Sequence, residues 1–256
     1  MLNRDIVIMS NDRMSNAKKV CKGVKQAFTY PFLTGHQDIG HLLGGMNMAN
    51  YCANSIVFYA EDKEVLKDLW EKINFCMDTR QCSVKSLLKS CGYTEDEAAE
   101  RADGRDYFTY LDDAVTTDYK RYYFKADTDS AWNPNIDSFK ILLQEKYNGK
   151  IKLMYQSEEA GCGIFITNDI NGIFFSERYR LDFDMGKDCI TEYFTGYEDL
   201  VNFIADEFPK AGVKLSDDTK AIEYKVKKAY KFKEAFGQHF WIDTFSYDIE
   251  EGGLAA

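Results

Sequence analysis

Apolar and polar positions along this chain fall into alternating runs and stripes that mark out its elements. Residues 53–59 read as a strand, with Ile56 and Phe58 on one side and Val57 and Tyr59 on the other, which predicts cover on both faces. Residues 61–76 read as an amphipathic helix whose stripe is Val65, Leu69 and Ile73, widened by Leu66 and Trp70. Two shorter helices are expected next, one over 83–90 and one opened by the capping-box match Thr94-Glu95-Asp96-Glu97. With Gly92 and Gly104 as punctuation, 77–105 is predicted to be a helical insertion. Residues 107–111 and 119–126 then read as a strand pair.

At the end of that pair the segment Asp127-Thr128-Asp129-Ser130-Ala131-Trp132-Asn133-Pro134 reads as a strand-to-helix junction. Asn133 is the expected cap and Pro134 the first residue of a helix over 134–147, with Ile136, Phe139, Leu142, Leu143 and Tyr147 on one face. A strand is predicted over 151–155, a polar turn over 158–163, and strands over 164–167 and 173–183 joined as a hairpin through Asn171-Gly172. Residues 189–194 add a strand, and 197–208 a helix stopped by Pro209, with Leu200, Val201 and Ile204 inward. Ser216 is the expected cap of a lysine-rich helix reaching toward Gly237, although the alternation Ile222-Tyr224-Val226 leaves a strand open. Residues 238–249 read as a last strand and 250–256 as a tail.

The order strand, helix, strand pair, helix, strand predicts an α+β fold of ferredoxin-like (βαββαβ) type. Its sheet is expected to be antiparallel with helices on one face, a helical insertion and a C-terminal helix/strand extension. The domain reading is 1–47 as an N-terminal extension, 48–208 as the ferredoxin-like domain and 209–256 as the C-terminal extension. There is no internal repeat and no low-complexity linker.

Composition narrows the function classes. A chain of 256 residues buries about three quarters of its unfolded surface and needs no disulfide or metal staple. Apolar residues make up 45% and aromatics 15%, with only 3 Pro, as in an ordered globular chain. The net charge of −10 opposes binding to phosphate backbones and anionic membranes. Seven cysteines, an odd number at low density, read as reduced thiols of a cytoplasmic protein. No apolar run approaches the ~20 residues that span a bilayer, and no basic-then-apolar leader opens the chain. Residues 1–47 stand apart: six basic residues against three acidic ones give +3, which leaves −13 for the rest. They also hold His36 and His41, and 15–27 reads as a short basic helix. Gly44-Gly45 ahead of Met48 is compatible with a ribosome-binding sequence, so we expect translation to start at Met48.

Three short motifs carry a resemblance. Met48-Ala49-Asn50-Tyr51-Cys52-Ala53-Asn54 resembles the M-P-N-W-C-x-N opening of the YubB-like ferredoxin-like domain family, uncharacterised proteins of plasmids and phages. The Asp127 to Pro134 segment is similar to that family's T-x-W-x-P-P stretch, and residues 155–163 resemble its Y-x-E-x-G turn. Tyr51 stands where the family has Trp, and Asn135 where a second Pro is common. The resemblance covers about 48–183. It implies a ferredoxin-like topology, a start at Met48 and a bacterial mobile-element setting, and no activity.

Candidate chemistry follows from side chains and spacing. Cys76, Cys82 and Cys91 lack C-x-x-C spacing and a nearby histidine, so no metal and no cofactor is expected. His239 has no Ser or Cys partner motif, and Gly161-Cys162-Gly163 is too short for a phosphate loop. Asp127 and Asp129 at the strand end, and Glu158 and Glu159 on the following turn, are the candidate carboxylates for a magnesium or acid/base site if they converge. Otherwise they bond helix amides or face water. With Asn50, Cys52, Asn54 and Trp132 from the resembling motifs, they form the candidate binding set. Tyr119, Tyr122, Tyr123 and Phe124, interleaved with Lys120, Arg121 and Lys125, raise single-stranded nucleic acid. The net charge and the missing RNP signature oppose it. The leading expectation is a non-enzymatic accessory protein that binds a macromolecule, most simply a protein with a basic surface. The alternatives are a carboxylate-dependent metal enzyme and a single-strand binder.

Overall fold

The computed structural model describes residues 51–102, 105–118, 121–186 and 189–248. The expectations for 1–50, including the basic helix, the start at Met48 and Asn50, lie outside them, as do those for Tyr119, Lys120 and the tail from 249.

The described chain is α+β, with six α-helices and two sheets. In the first sheet β1 (Tyr51–Ala60) lies centrally, antiparallel to β4 (Arg121–Ala131) on one side and to β5 (Lys152–Glu159) on the other. Outside β4 lie β2 (Tyr107–Leu111) and the short β3 (Thr116–Asp118). Outside β5 lie β6 (Ile164–Thr167) and β10 (Ser246–Tyr247), whose parallel pairing makes this sheet mixed. The second sheet has three antiparallel strands: β8 (Cys189–Phe194), β7 (Tyr179–Asp184) and β9 (His239–Thr244). The sheets are therefore more complex than the single antiparallel sheet expected.

Even-numbered residues of β1 set the first core. Ile56 and Phe58 join Phe124 and Ala126 of β4 and Tyr155 of β5 beneath α1 (Lys63–Asp78), α2 (Val84–Ser90), α3 (Glu95–Arg101) and α4 (Ile136–Tyr147). Helix starts follow local chemistry. Asp62 caps α1 through the amides of Glu64 and Val65, Ser83 caps α2, and Thr94 with Glu97 completes the capping box of α3.

Several elements depart from the sequence reading. The strand expected to end at Ala126 continues to Ala131, because its ladder with β1 runs on to the pair Tyr51 and Ala131. Asp127 and Asp129 therefore lie inside a strand and not at a helix start. The helix after it begins at Ile136, not Pro134: Asn135 is the cap position, and its Oδ1 accepts the Thr128 hydroxyl at 3.3 Å instead of a helix amide. β5 runs through Glu158 and Glu159, which pair with Phe165 and Ile164 of β6, so these glutamates are strand residues and the turn follows them.

The Asn171-Gly172 turn forms, with Gly172 at φ 65°, yet it makes no hairpin. The buried Asp169 carboxylate accepts the amides of Ile173 (3.0 Å), Phe174 (2.6 Å) and Phe175 (2.9 Å), which rolls the chain across the sheet and delivers β7 to the second sheet. Phe174 thereby lands on Tyr59 and Tyr123. The expected strand 238–249 is divided at the buried Phe245, which packs edge-to-face on Phe165. β9 belongs to one sheet and β10 to the other.

The second core unites Leu181 and Phe183 with Leu200, Val201 and Ile204 of α5 (Tyr197–Glu207), Phe208, Ile222 and Val226 of α6 (Thr219–Tyr230), and Phe240 and Ile242. Residues on both sides of the 208/209 boundary share it. α6 is a helix capped by Asp218, not Ser216, and it ends at Tyr230, where Lys231 turns left-handed at φ 55°. Among the described residues no helix is long and apolar enough to cross a membrane.

Candidate functional site

The pleat of β1 sorts the candidate residues onto two opposite faces. Cys52 and Asn54 point to the helix side, where the apolar core gives way at one end of the sheet to a buried polar layer. Asn54 Nδ2 donates to the Ser130 hydroxyl (3.0 Å) and the carbonyls of Cys52 (3.1 Å) and Thr128 (3.3 Å), and its Oδ1 accepts the Ser157 hydroxyl at 2.7 Å. Ser130 in turn donates to the carbonyl of Asn133 at 2.6 Å, tying strand to junction. Trp132 takes φ 69°, a left-handed turn rare for so bulky a residue, and its indole is partly exposed. Glu159 belongs to this side, buried, accepting the Gly161 amide at 3.1 Å. Burial, with help from Glu159 and Glu158, pushes the Cys52 thiol up to about 12, so it is held as a neutral thiol. This layer fastens strands β1, β4 and β5 together.

Asp127, Asp129 and Glu158 point the other way. In register, Ala53 is flanked by Asp129 on β4 and Glu158 on β5, and Ser55 by Asp127 and Gln156. Two strand spacings separate the carboxylate-bearing positions, about 10 Å. Ala53 is exposed although it lies on the central strand, so this end of the face is open. Tyr51 is 61% exposed one pleat away. Tyr107 stands opposite Asp129, and after a bulge at Thr109 Tyr110 stands opposite Asp127, both more than two-fifths exposed.

The electrostatics of the face are uneven. Lys125 lies 3.3 Å from Asp127, whereas the Asp129 carboxylate makes no hydrogen bond or ion pair among the described residues. Burial first, and then the charge of Asp127, raise the Asp129 carboxyl above the usual carboxylate value. Glu158 accepts the Tyr193 hydroxyl at 2.9 Å and lies 3.6 Å from Arg180 Nε. Arg180 also bonds Asp182 (2.8 Å) and Asp243 (3.1 Å), so one guanidinium clasps the second sheet to the first.

The four candidate carboxylates are thus divided: three on the open face, and Glu159 on the buried side. Among the described residues no group of three or more His, Cys, Asp or Glu is placed to hold a metal ion. The aromatic run also divides. Tyr122 and Phe124 enter the helix-side core and Tyr123 lies under Phe174, so these rings present no basic stacking platform. Sequence reasoning missed Ala53, Ser55, Tyr107, Tyr110 and Arg180. The odd-numbered alternation Tyr51, Ala53, Ser55 was the available signal, but alternation alone does not say which face is left open. Comparison with family models, with curated proteins and with solved structures gives no match.

Proposed function

We propose that this chain is a non-enzymatic accessory protein, built on a ferredoxin-like core, that binds a protein partner with a basic surface. The observation that carries this reading is the open sheet face around Ala53, bordered by Asp127, Asp129 and Glu158 and by exposed tyrosines. Carboxylates with tyrosine rings suit cationic side chains, by charge and by cation–π contact, and repel phosphate. The ferredoxin-like reading is supported by the antiparallel neighbours β5, β1, β4, β2 and by the helices α1 and α4 between their strands. The added strands and the second sheet are elaborations on it.

The likeness of the Asp127 to Pro134 segment and of residues 155–163 to the YubB-like family supports a mobile element or its bacterial host as the setting. Free thiols at all six described cysteines suit a reducing cytoplasm. The test is low-salt affinity capture from host lysate, comparing the wild-type chain with D127N/D129N. A stoichiometric protein partner, lost in the double variant and released by salt, is expected. A co-eluate destroyed by nuclease overturns the reading in favour of strand binding.

A further inference from the structure

We infer that the open face around Ala53 is a docking groove for an extended, lysine- or arginine-bearing segment of the partner, with one cationic side chain seated over Ala53 beside Asp129. This rests on the proposed function and specifies where and what it recognises. Four features of the face lead there. Its floor is made of the small residues Ala53 and Ser55, so a side chain from outside can reach backbone depth on a central strand. The walls are Tyr107 and Tyr110 on β2 on one side, and on the other Tyr193, 40% exposed and held by Glu158. Phe174 closes the groove lengthwise by covering Tyr59 and Tyr123.

Charge selects the occupant. Arg180 and Lys125 already stand within ion-pair distance of Glu158 and Asp127, but among the described residues Asp129 lacks a cation although burial disfavours its ionised form. An ammonium or guanidinium beside it supplies that missing partner. A phosphate would meet two carboxylates across a floor about two strand spacings wide. An extended segment also suits the groove, because alternate side chains project to one side of a strand and its intervening residues remain in water.

The test uses the full chain and a fluorescent, acetylated Lys-Thr-Lys-Thr-Lys-Thr peptide, read by anisotropy at low salt. Its acetyl-lysine counterpart and a single-stranded oligonucleotide are run in parallel. Two variants address the groove: D129N removes the unpaired carboxylate, and A53F fills the floor from an exposed position. E64Q, on the exposed first turn of α1, removes one charge elsewhere. Binding of the lysine peptide, weakened about tenfold by D129N as expected for one lost charge-assisted contact, similarly weakened by A53F, and unchanged by E64Q supports the inference. Circular dichroism and the urea midpoint of each variant check that the fold is retained.

No binding by the wild-type chain overturns the inference, as does equal weakening by D129N and E64Q, which signals diffuse attraction. Preferential binding of the oligonucleotide overturns both the inference and the proposed function. A partner captured equally by wild type, A53F and D129N leaves the proposed function standing and removes only the groove.

Discussion

Asn54 shows how one side chain settles the register of three strands. Its amide makes four hydrogen bonds to β1, β4 and β5 in a site that water does not reach. Asn54→Ala leaves the Ser157 hydroxyl and two carbonyls short of partners, and is expected to cost about 2–3 kcal/mol, read as a lower urea midpoint. Asp129 acts in the opposite sense. Its carboxyl value is raised, so its neutral form is the one the fold favours. The stability it contributes is present below the ordinary carboxylate value and is lost as pH rises through the raised one. D129N is therefore expected to denature at a higher urea concentration than wild type at pH 7, with the two curves meeting below about pH 4.

At the scale of elements, local rules hold where the chain is left to itself and yield where ladders compete. The capping box at Thr94 and Glu97 and the Asp62 cap follow directly from spacing. By contrast, the 158–163 segment has a turn composition, yet its first two residues are drawn into the ladder with β6. Asn171-Gly172 has hairpin chemistry, but three amides bonded to Asp169 give the backbone a better-satisfied route. Asp169→Ala is expected to cost about 3 kcal/mol, since several buried amides lose their acceptor, and to make residues 168–178 the first site of limited proteolysis. If the fragment pattern matches wild type, the carboxylate is not what shapes this segment.

For the whole molecule the decisive contact is Arg180, which joins Glu158 of the first sheet to Asp182 and Asp243 of the second while only 12% exposed. Arg180→Met leaves three carboxylates without their common cation, and is expected to cost about 3 kcal/mol at pH 7. Burial already raises Asp243, so protonation relieves the loss, and the gap to wild type is expected to narrow toward pH 4. A gap independent of pH would mean that the guanidinium acts by packing on Phe165, over whose ring it lies, and not by charge. Because Glu158 serves this clasp, the groove is better probed through Asp129 and Ala53.

What the sequence by itself determined was the α+β class, the main helices and strands, and the inward residues of each, because period and capping are local properties of the chain. It also singled out Cys52, Asn54, Asp127, Asp129 and Glu158, but not Ala53, Ser55, Tyr107, Tyr110 or Arg180 beside them. Only the tertiary structure decided which of them belong together. A one-residue change of register exchanges the two faces of a strand, and register is set by partners far along the chain. Asn54 is buried and Ala53 open for that reason alone, although they are neighbours in sequence. The division of 238–249 between two sheets has the same origin, since Phe245 is buried by contacts that no local pattern encodes.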